Sequence, residues 1–276
     1  MGVLNSILTA LFDTVYAVLA LGPRWLSLTV LSGMVGVIAL IVVRYCSNQA
    51  AIGRVKDDIK ANMLSLKLFK DELRVVLRAQ ARLVWAGLRM QYYMVPPLLV
   101  MFIPFVLVAA QMGLRYQWRP VETNETTDLT VLLRPDAPDS ALNWVLEAPA
   151  GVEAAPSAQG VRINADKKAV VWNLTGRKAG RYVLTLRDGS ESVTKEFVVG
   201  RDQDRVSPMR PGPSLLDRIL YPAERPFGSD SVIQSIAITY PPRDSWFHGA
   251  DWWILWFLVL SIVIALLLKP VFGVKL

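Results

Sequence analysis

The residues that could carry covalent or metal chemistry are few and isolated in this chain. Cys46 is the only cysteine and His248 the only histidine, so neither a zinc site nor a Cys/His or Ser/His/Asp set can be assembled. No glycine-rich phosphate loop is present, and the long apolar stretches contain no aspartate or glutamate. Ion-coupled transporters need such intramembrane charges. We therefore predict that the chain is not an enzyme and uses no cofactor or metal.

A cluster of methionine and proline residues indicates a different chemistry, the accommodation of apolar segments. It comprises Met90, Met94 and Met101 together with Pro96, Pro97 and Pro104. Methionine side chains are flexible and polarisable, which suits a surface that accepts varied apolar partners. Prolines bend a membrane helix and free backbone carbonyls. Together with the basic segment before it, the cluster predicts a place where foreign apolar segments are handled.

Three apolar stretches must position this cluster. Residues 25–43 and 94–114 carry no charge, and residues 252–268 form a third apolar run. A helix needs about 20 residues to span hydrocarbon, and a hydrophobic content of 53% is too high for an ordinary soluble domain. The fold class is therefore membrane α-helical, with transmembrane helices at 25–44, 94–114 and within 246–276. Gly33 and Gly36 supply small residues for close helix contact in the first.

The segment between the first two spans is basic. Residues 44–93 contain ten Lys or Arg and four acidic residues, whereas 115–245 contains 17 of each. The positive-inside rule predicts that residues 45–93 and the C-terminus are cytoplasmic and that the N-terminus and 115–245 are extracytoplasmic, in a prokaryotic inner membrane. Any membrane protein of this orientation carries such a loop, so we predict no specific nucleic-acid partner.

Residues 45–93 are rich in helix formers, with apolar residues at spacings of three and four. One straight helix would reach about 65 Å at 1.5 Å per residue, and its far end could not re-enter the membrane. We therefore predict a cytoplasmic hairpin of two antiparallel helices that turns at residues 69–72. We interpret its apolar stripe as the surface along which the two helices of the hairpin pack against each other, and not as a docking face for another molecule.

Residues 1–24 predict an amphipathic helix. Asn5, Thr9 and Asp13 recur at four-residue spacing and line one face, as in a helix that lies in the membrane interface. An additional span is the competing interpretation, and it would have to bury Asp13.

The composition changes abruptly at residues 115–245. Short alternating runs are separated by Pro, Gly and Asp, and residues 200–230 are typical of a wrapping linker. The runs predict an extracytoplasmic immunoglobulin-like β-sandwich inserted between spans two and three. We expect Trp144, Trp172 and Tyr182 in its core.

The order of these elements, with three short motifs, is similar to a known family. The motifs are Asn48-Gln49, the run Met90-Gln91-Tyr92-Tyr93-Met94-Val95-Pro96, and Met101-x-x-Pro104. They resemble the Oxa/YidC/Alb superfamily of membrane-protein insertases. The three-span plan looks closest to archaeal YidC-like proteins and the ER membrane complex core subunit. The resemblance covers residues 1–114 and 246–276.

This resemblance implies a groove between the spans, open to cytoplasm and lipid, that receives hydrophobic segments. By position it assigns Arg44 as the basic residue, Met63, Met90, Met94 and Met101 as the apolar entrance, and Gln91 and Gln111 as polar lining. Arg44 is equally explained as a headgroup anchor. The implied partners are nascent or hydrophobic membrane-protein segments, the lipid bilayer, and the ribosome or another membrane subunit.

A second hypothesis is a structural subunit of an envelope complex. Its β-sandwich would be the partner-binding module and its spans an anchor. The two hypotheses differ in packing: an insertase needs an incompletely packed groove beside Arg44 and Met94, whereas an anchor packs its spans fully or against a partner.

Overall fold

The chain folds into two compact units. A computed structural model describes residues 2–19, 22–69, 71–138, 144–154, 161–164, 168–188, 191–200, 205–247 and 249–274. The first unit comprises Met1–Leu28 and Val106–Trp256, and the second comprises Thr29–Phe105 and Phe257–Leu276. The second unit contains most of the apolar helices, and the first contains the β region.

The helices have the following bounds. They are α1 Gly2–Leu19, α2 Arg24–Cys46, α3 Gln49–Leu68, α4 Leu73–Tyr116, α5 Leu215–Leu220 and α6 Trp253–Phe272. Within the described residues, Trp25–Cys46, Leu73–Tyr116 and Trp253–Phe272 are long and apolar enough to cross a membrane. The prediction of three long apolar helices and a separate β region is confirmed.

Helix α4 joins two segments that the sequence analysis separates. The second arm of the predicted hairpin, ending at residue 93, and the predicted span from Met94 form one helix of 44 residues. Pro96, Pro97 and Pro104 lie inside it. Each proline removes one backbone donor and frees one carbonyl, which bends an apolar helix without ending it.

The chain turns between α3 and α4 at the predicted place. Helix α3 begins after Asn48, whose side-chain oxygen accepts a hydrogen bond from the Ala51 N–H at 3.0 Å. This N-cap satisfies one of the free amides at the start of the helix. Helix α3 ends at Leu68 and α4 begins at Leu73, on either side of the predicted turn. Lys70, within that turn, lies outside the described residues.

The two arms of the hairpin contact each other along part of their length. Val55 on α3 and Ala79 and Ala86 on α4 are buried. Arg89 Nη2 lies 3.1 Å from Asp58 Oδ2, an ion pair between the arms with both side chains partly exposed. Exposed pairs contribute little free energy, so packing of the small side chains provides most of the stabilisation.

The β region of the first unit consists of two antiparallel sheets. Its strands are β1 Thr126–Leu133, β2 Val145–Glu147, β3 Val152–Ala154, β4 Val161–Asn164, β5 Ala169–Gly176, β6 Gly180–Asp188, β7 Glu191–Val199, β8 Met209–Arg210 and β9 Ile233–Ile238. One sheet has the order β3-β5-β1-β9-β8, with β4 also paired to β5, and the other has the order β2-β6-β7.

Both sheets contribute to one apolar core. Alternate residues of β1 are buried, as expected for a strand with one face toward a core. Trp172 from one sheet and Phe197 from the other belong to the same buried cluster. Of the residues expected in the core, Trp144 and Trp172 are buried and Tyr182 packs against the cluster while remaining partly exposed.

The polar face of α1 contacts the C-terminal end of α4 within the first unit. Gln111 Nε2 donates to Thr9 Oγ1 at 2.8 Å. Arg115, whose side chain is 3% exposed, forms an ion pair with Asp13. Asp13 therefore neutralises a buried guanidinium, which an isolated interfacial helix could not do. The side chain of Asn5 lies outside the described residues.

Candidate functional site

An apolar groove of about 500 Å³ lies among α2, α4 and α6, wholly within the second unit. Helix α2 contributes Val35, Gly36, Ala39 and Val43; helix α4 contributes Met94, Pro97, Leu98, Met101, Phe102 and Phe105; helix α6 contributes Leu258, Ser261, Ile262 and Ala265. Pockets of about 300–1,000 Å³ bind small ligands or a few side chains. The volume is therefore sufficient for part of an apolar partner.

The groove forms because its three walls pack unequally. At Gly36 the backbones of α2 and α6 approach so closely that a Cβ there would lie 2.6 Å from the Ser261 carbonyl oxygen. Small residues permit this kind of contact between apolar helices. By contrast, 6% of the most apolar 18-residue window of α4 is buried, compared with 39% of that of α2. Helix α6, with 11% of its window buried, is also sparsely covered, so α2 is the best packed of the three walls.

The lining of the groove offers almost no polar chemistry. Ser261 carries the only hydroxyl among the lining residues, and its Oγ donates to the Phe257 carbonyl oxygen at 2.7 Å. No lining residue is charged. The groove can therefore bind apolar groups by shape and dispersion.

Two of the residues assigned from the sequence line this groove. Met94 and Met101 lie on its α4 side, where each side chain is partly exposed. Their flexible thioether chains can adjust to different apolar shapes. The small residues opposite them, Gly36, Ala39 and Ala265, were not assigned to a site from the sequence. The spacing of Gly33 and Gly36 was the one signal that pointed to this surface.

Arg44 lies at the C-terminal end of α2 and is not among the groove-lining residues. Its Nη1 donates to the Phe272 carbonyl oxygen at 3.1 Å. Phe272 is the last residue of α6, so the guanidinium lies at the negative end of that helix dipole. Arg44 therefore joins the ends of α2 and α6.

The remaining assigned residues lie elsewhere. Met63 on α3 and Gln91 on α4 are exposed, and Met90 on α4 is partly buried. Gln111 belongs to the first unit, where it is buried and bonded to Thr9. None of these four is among the lining residues.

The site thus combines an uncharged apolar lining with one face formed by a sparsely covered helix. Such an arrangement suits reversible contact with a hydrophobic segment. No protein-family model, curated protein or solved structure matches this chain.

Proposed function

We propose that the chain is a membrane-protein insertase or intramembrane chaperone that receives hydrophobic segments in the apolar groove. The observation that carries the proposal is the groove itself, about 500 Å³ with an uncharged lining that includes Met94 and Met101. The resemblance to the Oxa/YidC/Alb superfamily supports the same function. No nucleotide or metal is part of the proposed mechanism.

The size of the groove determines how a client would be held. A volume of this scale takes a few side chains and not a whole helix. The client backbone would lie at the open side, with its hydrogen bonds formed internally as lipid requires. Apolar side chains would enter between α4 and the small residues of α2 and α6. Each such side chain gains about 1.5–3 kcal/mol relative to water, which favours entry from the aqueous side.

We further propose that α2, α4 and α6 span an inner membrane, with the hairpin and C-terminus cytoplasmic and an immunoglobulin-like sandwich outside. The charge distribution supports this orientation, since residues 44–93 carry ten basic and four acidic residues. The two antiparallel sheets with a common core support the sandwich.

A structural subunit of an envelope complex is the second candidate function. The observation in its favour is a group of exposed apolar side chains on α5 in the first unit. Leu215 is 61% exposed and Leu216 is 64% exposed. Exposed apolar clusters often mark protein interfaces, and a partner bound there would use the β region as a docking module.

Filling the groove is expected to abolish most of the insertase activity. In the Ala39→Phe variant a phenyl ring occupies space that the client needs, so the yield of a protease-protected single-span client in reconstituted proteoliposomes should fall roughly tenfold, equivalent to about 1.4 kcal/mol. Ala61, exposed on α3 and outside the groove lining, provides the matched control. Ala61→Phe should insert the client as the wild type does.

Two results would contradict the proposal. The first is equal insertion by Ala39→Phe and wild type when circular dichroism finds both folded. The second is equal insertion by liposomes that lack the protein. Either result would leave the envelope-subunit hypothesis as the better account.

A further inference from the structure

Helix α4 carries two apolar stripes, and they differ in exposure. One stripe is buried or partly buried and consists of Val76, Ala79, Leu83, Ala86, Met90, Tyr93 and Pro97. The other is exposed throughout and consists of Leu77, Ala81, Val84, Leu88, Gln91, Val95, Leu98 and Phe102. Both alternate spacings of three and four residues, the repeat by which helices pack along a seam. We call the second set the outer stripe.

The outer stripe extends beyond the apolar span. Leu77, Val84 and Leu88 are 55%, 66% and 57% exposed, and all three precede the apolar run that begins at residue 94. Trp85, 61% exposed, flanks them. In the orientation proposed above these side chains lie in water, where lipid cannot cover them, and each would gain about 1.5–3 kcal/mol on burial. A contiguous exposed set of this kind typically marks an interaction surface.

The charges on α4 restrict what can cover the stripe. The helix carries Arg74, Arg78, Arg82, Arg89 and Arg115 and no aspartate or glutamate. In a parallel pair of copies, Arg74 would meet Arg74 at a seam position with no acidic side chain on either helix to compensate. An acidic helix would instead place its carboxylates near Arg74, Arg78 and Arg82, the first three arginines of α4. Charge complementarity therefore favours a different chain over a second copy.

We propose that the outer stripe docks an acidic amphipathic helix of a partner membrane protein, which runs along the hairpin arm and continues beside α4 into the membrane. The continuation follows from the stripe, since Val95, Leu98 and Phe102 extend the same repeat into the apolar span. Gln91, the one polar member, fixes the register of the pair, as single polar seam residues do in coiled coils. Leu98 and Phe102 also line the groove, so the membrane half of the stripe adjoins it, whereas the aqueous half, from Leu77 to Gln91, lies outside the groove lining.

A designed peptide tests the aqueous half of this surface. The probe has three heptads, the length of α4 from residue 73 to 93, with leucine at the a and d positions and glutamate at e and g. The full chain carries Cys46→Ser and Val84→Cys, labelled with an environment-sensitive dye, in nanodiscs of neutral lipid. We expect a saturable blue shift that weakens with added salt. A lysine-flanked peptide should bind about tenfold more weakly.

Leu88 and Leu64 provide a matched pair of substitutions, because both are 57% exposed and only Leu88 belongs to the outer stripe. Leu88→Glu should weaken binding of the glutamate-flanked peptide about tenfold, whereas Leu64→Glu on α3 should change it less than about twofold. Equal effects of the two substitutions, or equal binding of the two peptides, would overturn the proposal.

Two further outcomes would identify another occupant and also overturn it. A blue shift on transfer to nanodiscs of anionic lipid, without peptide, would show that the membrane surface covers the stripe. A disulfide between Val84→Cys residues of two unlabelled copies would show that a second copy covers it. Groove function is measured separately through Ala39→Phe, so the two proposals can fail independently.

Discussion

Replacing Lys195 by methionine is expected to lower the free energy of unfolding of the β region by about 3–5 kcal/mol. The Lys195 side chain on β7 is fully buried. Its Nζ donates to the Ser207 carbonyl oxygen at 2.6 Å and to Ser207 Oγ at 3.1 Å, and it forms an ion pair with Glu224. Burial lowers the pKa of this ammonium group, and the charge of Glu224 opposes that shift. Methionine would leave the largely buried Glu224 carboxylate without its cation.

Lys178 provides the matched control because its side chain is exposed. Lys178→Met should change stability by less than about 0.5 kcal/mol. The double variant Lys195→Met with Glu224→Leu should be more stable than Lys195→Met alone, because the unpaired charge is removed. Pulse proteolysis of the full chain in urea measures all three. Equal resistance of Lys195→Met and Lys178→Met would mean that the buried pair contributes nothing.

Replacing Gly36 by alanine is expected to separate α2 from α6. The added Cβ would lie 2.6 Å from the Ser261 carbonyl oxygen and 3.5 Å from the Ala265 backbone nitrogen. These are backbone atoms, so a side-chain rotation cannot relieve the clash and one helix must move. Overpacking of this kind costs about 1–3 kcal/mol. Because Gly36 also lines the groove, the same change should alter its shape.

Gly87 offers a control of the same substitution. A Cβ at Gly87 on α4 would meet nothing within 4 Å, so Gly87→Ala should stabilise the helix by about 0.5–1 kcal/mol through the better helix propensity of alanine. The loss of helical circular dichroism on heating in detergent compares the two variants. If Gly36→Ala unfolds at the wild-type temperature or above it, the close approach of α2 and α6 is wrong.

The long apolar helices and the turn of the hairpin could be predicted because each depends on local sequence. The thickness of the hydrocarbon layer sets the length of an apolar helix that spans it. The hairpin must turn near its middle because a single straight helix would carry its far end away from the membrane. The continuity of α4 could not be predicted, because prolines end a helix in water and bend it among apolar neighbours. The ion pair between Asp13 and Arg115 could not be predicted either, because the two residues lie far apart in the sequence.

The groove was predicted less completely than the fold. Residue type pointed to Met94 and Met101, because methionine and proline are unusual together in a span. The rotation of each helix decides which side chains share a surface, and one sequence does not contain that information. For this reason Arg44 was assigned to a groove and lies instead against the end of α6. The apolar stripe interpreted as the seam of the hairpin likewise included Leu77 and Val84, which are exposed, along with Val76 and Leu83, which are partly buried.

Site-specific photo-crosslinking tests the central claim most directly. A photoreactive residue is placed at Met94 or Met101, which line the groove, and at Met34 on α2, which is 49% exposed and outside the lining. During synthesis of a small membrane protein in cells, we expect the nascent chain to crosslink at both groove positions and not at Met34. The Ala39→Phe variant should lose these crosslinks. Equal crosslinking at Met34, or none from the groove, would contradict the proposed function.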